Sequence, residues 1–411
     1  MRILLLNQFY PPDTAATGQL LADLAEGLVE RGHDVHVLCS RRAYGGGKTR
    51  YPARSVSGGA TVHRVAATGF GRGRRIGRAV DYLSFYTLAS VRAMTLPRMD
   101  VCVALTTPPF IGLIGAMCSR LRRTRLVLWT MDLYPEIAVA LGVLQPGRAP
   151  HRLFARLSWR LYQRASKIVS LGEVMTERLI EAGAPPGNIL TVHNWVPSES
   201  VRPVRSDSSA VRRTWGLGDE FALMYSGNLG LGHDLDTVLL AMAELEGGLP
   251  IRGLFVGAGR GLEPLRAHAA RLGLTNVDFH PPRPLEQLSD TLAAGDAHIV
   301  SQRPGTEGLI VPSKLYGALA AARPVLFIGT DVTEAAGIVR NARAGLVVPP
   351  GDCEKLADAI RTLAADDRLR AEMGDNGRRY YETQLGKHRS VGRIVEAVEA
   401  ARDDSPSSPP K

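Results

Sequence analysis

Four cysteines in 411 residues are few, and Cys39, Cys102, Cys118 and Cys353 stand too far apart to form a CxxC or any metal-spaced pair. That spacing excludes a disulfide framework and a cysteine zinc site, and leaves reduced thiols packed in a cytosolic protein as the expectation. No apolar run approaches the ~18 residues that a membrane-spanning helix needs. The opening Met1–Asn7 is too short for the apolar part of a signal peptide and reads as a first strand. Neither a GxGxxG turn nor a Walker-type phosphate loop occurs, so dinucleotide and ATP binding lack their signatures. No metal site and no cofactor are expected.

Acid is scarce in the first half. Residues 1–195 carry 25 Lys and Arg against 12 Asp and Glu, while 196–411 carry 25 against 28, so +13 and −3 make up the chain's +10. A basic half joined to a near-neutral one points to an anionic partner for the first. Its charge gathers beside apolar faces. Arg72, Arg74, Arg75 and Arg78 precede Tyr82, Leu83, Phe85, Tyr86 and Leu88, and Arg120, Arg122, Arg123 and Arg125 follow the apolar stretch Ile111–Met117. An anionic membrane surface on the inner face of the cell membrane suits that pairing, each basic residue adding about 1 kcal/mol there. The plainer reading is ordinary core under an arginine-rich, solvated surface. Nucleic acid is not expected, since no base-stacking or groove-reading module accompanies the charge.

What is present is a regular alternation. Ile3–Leu6 reads as a buried strand, Leu20, Leu21, Leu24 and Leu28 recur at helical spacing, Gly32 stops the helix, and Val35–Leu38 resumes as a strand. Such a βαβ unit makes the two strands parallel neighbours. Further strands are predicted at Val62–Val65, Val101–Leu105, Leu126–Trp129, Ile168–Ser170 and Ile189–Val192. The Pro- and Ser-rich segment Val196–Ser209 reads as a linker. Strands then restart at Phe221–Tyr225, Ile251–Val256, Val277–Phe279, Ala297–Val300, Val325–Ile328 and Leu346–Val348, with helices between. The expectation is an α/β chain of two Rossmann-like, doubly wound parallel-sheet domains facing a cleft, at 1–196 and 197–379, with a disordered tail over 403–411.

Ligands of open α/β sheets bind beyond the carboxyl ends of the strands. Gly227, Asn228 and Gly230 follow one predicted strand and lead into a helix, so their backbone N–H groups can line a phosphate. Gly257 and Gly259 follow the next strand, where a tight βα connection needs glycine in any case. In the segment 303–317, Pro312 and Ser313 form a helix start and place Lys314 where a cation opposes the helix dipole unless an anion binds there too. A solvated surface lysine is the alternative. Glu307, in a Pro- and Gly-rich loop, is a candidate for accepting hydrogen bonds from sugar hydroxyls. In the first half, Asp132 stands at a strand end within WTMDLYPE and is a candidate general base, or else a helix cap before Pro135. The loop Asn7–Gly18, with Tyr10, Thr17 and Gly18, is the other candidate wall.

The motifs NQFYPPDTAATGQ at 7–19, WTMDLYPE at 129–136, TVHNWVP at 191–197, YSGNLGLGHDLDT at 225–237, VGAGRGLEPL at 256–265 and GLIVPSKLYGALAAARPV at 308–325 keep their order and spacing. In them the chain resembles the GT4 family of glycosyltransferases over nearly its whole length. It comes closest to the branch of O-antigen and capsule sugar transferases, L-fucosamine transferases among them. The resemblance implies a GT-B fold and transfer from a UDP-sugar to a lipid-linked (polyprenyl-diphosphate) or oligosaccharide acceptor with retention. It also implies a donor-binding C-terminal domain, an acceptor-binding N-terminal domain, and a last helix near 380–401 that rejoins the first domain. It assigns Gly308 and Leu309 to the donor site with Lys314, and Tyr10, Thr17 and Gly18 to the acceptor. The chain departs from the family in three places. Leu309 and Gly317 stand where a pair of glutamates is usual, leaving Glu307 as a displaced substitute. An arginine and a lysine usual after the SG motif are absent, leaving Lys314, Arg283 or Arg303 to neutralise phosphate. Met131 replaces a histidine. Two other functions fit the same features: a non-catalytic subunit that binds a nucleotide sugar or partner enzyme, and a UDP-sugar 2-epimerase.

Overall fold

The computed structural model describes residues 1–43, 50–69, 75–196, 201–230 and 232–403. The chain forms two compact units, one of Met1–His193 with the C-terminal segment from Lys387, the other of Asn194–Gly386.

In the first unit the strands are β1 (Arg2–Leu6), β2 (Asp34–Ser40), β3 (Arg54–Ser57), β4 (Ala60–Val65), β5 (Val101–Ala104), β6 (Arg125–Trp129), β7 (Lys167–Ser170) and β8 (Ile189–Thr191). They lie in the order β3-β4-β2-β1-β5-β6-β7-β8. All pairings are parallel except β3 with β4. Ile3, Leu4, Leu5 and Leu6 are all fully buried, as a central strand covered on both faces requires. The helix Ala16–Glu30 sits against Lys387–Asp403, where Lys387 bonds Asp23 at 3.0 Å and His33 meets Glu399 at 2.9 Å. Only β3 was unforeseen: RSVS is too short and polar to signal a strand, and it pairs as an antiparallel edge.

The second unit holds β9 (Phe221–Ser226), β10 (Ile251–Val256), β11 (Val277–His280), β12 (Ala297–Ser301), β13 (Val325–Ile328) and β14 (Gly345–Val348), in the order β11-β10-β9-β12-β13-β14, all parallel. The chain winds outward from β9 to β11, then crosses back to β12 on the other side. The β9/β12 seam is therefore the switch point where such sheets leave a crevice beyond the strand ends.

The segment read as a linker is tied down where it is described. Val201 is buried in the core of the second unit, its carbonyl accepts from Arg378 at 3.0 Å, and the carbonyl of Val204 accepts from Arg323 at 2.6 Å. Proline and serine gave it the composition of a linker, yet Val201 and Val204 anchor it. Residues 197–200 and the tail from 404 lie outside the described residues. Among the described residues no helix is long and apolar enough to cross a membrane.

Candidate functional site

Beyond the β9/β12 seam, two glycine loops lock onto each other. The loop after β9 donates Gly227 N–H to the Val256 carbonyl at 2.9 Å and Leu229 N–H to Ala258 at 3.0 Å, and the Leu229 carbonyl accepts from Gly261 at 2.9 Å. A Cβ on Gly257 would stand 1.9 Å from the Gly227 oxygen, and one on Gly259 would stand 2.3 Å from the Leu229 oxygen. Gly257 and Gly259 are thus demanded by the closeness of the two backbones, and they fix the loop that carries Gly227, Asn228 and Gly230.

Lys314 enters this place from the start of the helix Lys314–Ala320. Its methylenes run over Gly227, where a Cβ would meet Cε at 3.0 Å. Its ammonium lies 4.8 Å from the centre of the Tyr225 ring and 3.2 Å from Nε2 of His233. The Tyr225 hydroxyl donates to the Asn228 carbonyl at 2.9 Å, which fastens the ring under the loop. On the far side of the imidazole, Nδ1 meets the Ser301 carbonyl at 2.7 Å. A carbonyl only accepts, so Nδ1 carries the proton and Nε2 turns its lone pair to Lys314. Burial, then the Lys314 charge, lowers His233 to about 3, so the ring stays neutral. Burial lowers Lys314 to about 7. Ser313 occupies the cap position, but its side chain makes no capping bond. Among the described residues Lys314 has no carboxylate in salt-bridge range. A cation held this way, at the wrong end of a helix dipole, can take up an anion.

The other expected contacts divide. Arg303 is exposed and its backbone N–H bonds the Gly232 carbonyl at 2.9 Å, which joins the loop after β12 to that of His233. Glu307 is half-buried and accepts from Thr330 Oγ1 at 3.0 Å, in the loop after β13. Gly308 supplies a left-handed turn at φ 70. Leu309 is buried and gives its N–H to Thr306 at 3.0 Å, so it is core rather than a ligand contact. Arg283 engages Gln287 at 3.1 and 2.6 Å and lies over the Trp215 ring. The triplet Asp234-Leu235-Asp236 has the DxD form of metal-dependent transferases, where no such motif was expected. Asp234 bonds Thr237 at 2.7 Å and Asp236 bonds His268 at 2.7 Å, and among the described residues no group of His, Cys, Asp and Glu is placed to hold a metal. Tyr225, His233 and Ser301 were not foreseen as site residues. The one available signal was a histidine and a tyrosine flanking the SGN turn.

In the first unit, Asp132 follows β6 beside a cavity of about 30 Å³ that Thr106, Thr130, Tyr134, Ser158 and Tyr162 also line. Burial raises its carboxyl to about 6, within the range of a general base near neutrality. Thr106 Oγ1 accepts from the N–H groups of Met131 and Asp132 at 3.0 and 3.1 Å, which sets the turn. Thr17 is half-buried and accepts from Asn7 at 3.3 Å. Tyr10 is 2% exposed, and a Cβ on buried Gly18 would meet the Phe9 carbonyl at 3.1 Å. Tyr10 and Gly18 therefore shape the loop from within and present nothing to an acceptor.

Two parallel-sheet units with loops of this kind at the strand ends define the GT-B class of glycosyltransferases. The fold matches a sucrose-phosphate synthase from Thermosynechococcus elongatus with a TM-score of 0.77 at 16% identity, covering 98% of this chain and all of that one. It also matches HepE of Anabaena, solved with UDP-glucose, with a TM-score of 0.73 at 18% identity, covering 97% and 100%. Residues 16–195 match the glycosyl transferase 4-like domain and residues 208–380 the glycosyl transferases group 1 domain. The chain belongs to the GT4-type glycosyltransferases. It is 26% identical to the glycosyltransferase WbjE of Pseudomonas aeruginosa over 72% of this chain and 74% of that one. It is 24% identical to WcaI of Escherichia coli K12, assigned as a glycosyl transferase of colanic acid biosynthesis, over 97% and 100%.

Proposed function

We propose that this glycosyltransferase moves a sugar from a UDP-sugar to a lipid-linked or oligosaccharide acceptor in the assembly of a surface polysaccharide, with retention at the anomeric carbon. The observation that carries the donor half is Lys314, a cation with no carboxylate partner among the described residues, set against the Gly227 turn. The diphosphate of a nucleotide sugar supplies the missing charge, and Lys314 and the loop N–H groups stabilise it as it departs. The UDP-glucose bound by HepE and the colanic acid assignment of WcaI support the choice of donor and pathway class. In this reading the second unit takes the donor. The first unit takes the acceptor, and Asp132 receives or positions the acceptor hydroxyl. Release of UDP, measured over a panel of UDP-sugars with and without lipid-diphosphate and oligosaccharide acceptors, tests it. Donor binding without acceptor-dependent release would make the chain a non-catalytic binding subunit, and interconversion of the free donor would make it an epimerase.

The same reading places the first unit on an anionic membrane. Along the helix Arg75–Thr95, Val80, Leu83, Leu88 and Val91 are exposed at 39, 68, 41 and 59%. Not all of the expected surface takes part. Phe85, Ile111 and Ile114 are core, and Arg122 donates to the carbonyls of Ala93, Met94 and Leu96 at the end of that helix. Arg120, Leu121 and Arg123 remain exposed nearby in the sequence.

A further inference from the structure

A cavity of about 400 Å³ in the first unit, on the strand-end side of β2 and β4, is lined by Arg41, Arg42, Arg50, Thr68 and Gly69 among others. Among the described residues none that lines it is acidic, and the Asp81 carboxylate accepts from the Thr68 hydroxyl at 2.9 Å. We infer that it is a binding site for a phosphate or diphosphate group.

The arginines are held, not merely near. Arg41 donates from Nε to the Tyr51 carbonyl at 2.9 Å, and Arg42 donates from Nε to the Ala67 carbonyl at 2.9 Å. Each anchoring bond uses the inner nitrogen and leaves the outer Nη pair, the fork that meets phosphate oxygens two at a time. Arg42 pairs with Arg50 in an isolated antiparallel bridge, which brings the third guanidinium's backbone alongside. The Arg42 N–H is fixed by Ser40 Oγ at 3.1 Å. Gly69 completes the arrangement: a Cβ there would stand 1.9 Å from Arg42 Nη1 and 2.0 Å from Cζ. A side chain there would push the guanidinium aside. Three cations around one cavity, with no acid among its described lining residues, set up a positive potential that favours an anion.

The site shares its sheet edge with Asp132. Three strand spacings separate β2 from β6, roughly 14 Å. A ligand whose anionic end lies among the arginines can therefore extend along that edge toward the Asp132 carboxyl. That the anion is the diphosphate of the acceptor rests on the transferase reading above, whereas the anion site itself does not.

The test is titration of the full chain, saturated with UDP to occupy the Lys314 site, with inorganic pyrophosphate and separately with farnesyl diphosphate. The Arg41→Ala/Arg42→Ala variant is expected to lose at least tenfold in affinity for both, with UDP affinity unchanged. Gly69→Val, which keeps every charge but displaces the Arg42 fork, is expected to lose affinity as well, and its circular dichroism checks that it folds. Tighter binding of farnesyl diphosphate than of pyrophosphate assigns the site to a lipid-linked diphosphate, and equal binding to a free one. Equal affinities in wild type and both variants, or no pyrophosphate binding by wild type at millimolar ligand, would overturn the proposal. UDP affinity, read in the same series, reports on the donor site separately.

Discussion

Lys314 Nζ lies 3.2 Å from Nε2 of His233, and the direction of that hydrogen bond is set from the far side of the ring, where Nδ1 donates to the Ser301 carbonyl. A neutral histidine thus holds a lysine in place without neutralising it. Lys314→Ala is expected to weaken UDP or UDP-sugar binding by about 1.5–3 kcal/mol, the worth of a charge-assisted phosphate bond. Calorimetric titration with UDP measures it, and an unchanged Kd would remove Lys314 from the site.

The same pair gives donor binding a pH dependence. With Lys314 near 7, a substantial fraction of the free protein is uncharged there above neutrality. A bound diphosphate stabilises the ammonium and raises its pKa, so binding at pH 8 takes up a proton. Affinity should therefore fall as pH rises from 7 to 9, and the heat of binding should vary with the ionisation enthalpy of the buffer. In Lys314→Ala both effects should vanish. Proton uptake that persists in the variant would place the titrating group elsewhere.

Gly257→Ala should be among the most damaging single substitutions in the second unit. Its φ of +150 disfavours any side chain, and the new Cβ would sit 1.9 Å from the Gly227 oxygen. The two loops would have to separate, at a cost of roughly 2–4 kcal/mol, with loss of UDP binding. Gly273→Ala is the control: φ is +71, but nothing lies within 4 Å, so the strain of about 1 kcal/mol stands alone. Urea unfolding of both variants separates the collision from the conformational penalty.

The alternation of buried runs and helical repeats made the strands legible. Ile251–Val256 and Val325–Ile328 were expected with the bounds they have, and most of the others to within one residue at either end. A central parallel strand advertises itself by being apolar on both faces, whereas edge strand β3, half solvated and four residues long, does not. The site was legible only where chain chemistry is local. Gly227, Asn228 and Lys314 stood out as a turn and as a misplaced cation. The part played by His233 depends on Ser301 and Lys314, which are 68 and 81 residues away. No local pattern encodes that meeting. Tyr10 misled for the converse reason, since a tyrosine in a Pro-rich loop looks exposed until the loop is seen folded over it.

Leu83→Glu and Val91→Glu test the membrane reading. The two lie eight residues apart on the helix Arg75–Thr95, a little over two turns, and are 68 and 59% exposed. Neither change opens a cavity, so thermal stability should hold. Sedimentation with vesicles rich in anionic lipid should fall several-fold, and wild-type binding should weaken with salt. Binding indifferent to both substitutions and to salt would detach this helix from any membrane role.

A last prediction concerns acid. His63 Nδ1 accepts from Arg92 at 3.0 Å, His63 Nε2 lies 3.0 Å from His36 Nδ1, and His36 Nε2 meets Asp34 at 3.2 Å. Arginine only donates, so His63 carries its proton on Nε2 and gives it to His36, which in turn donates to the carboxylate. Every tautomer in the row follows from its two charged ends. A second proton on His63 would have to point at Arg92. Burial first, then the charge of Arg92 beside it, holds His63 down to about 4, against 6.5 when it is free. The unfolded chain therefore binds this proton more readily than the folded one between those values. The stability contributed is complete above pH 6.5 and drains away as pH falls toward 4, by on the order of 2 kcal/mol. His63→Phe cannot titrate, so the wild type's stability relative to it should shrink over that window and stay level above it. Comparing the two in urea at each pH cancels the histidines that do not touch His63, and repeating the comparison in a His36→Asn background separates the one that does. Imidazole NMR shifts that showed His63 charging near pH 6.5 would end the argument.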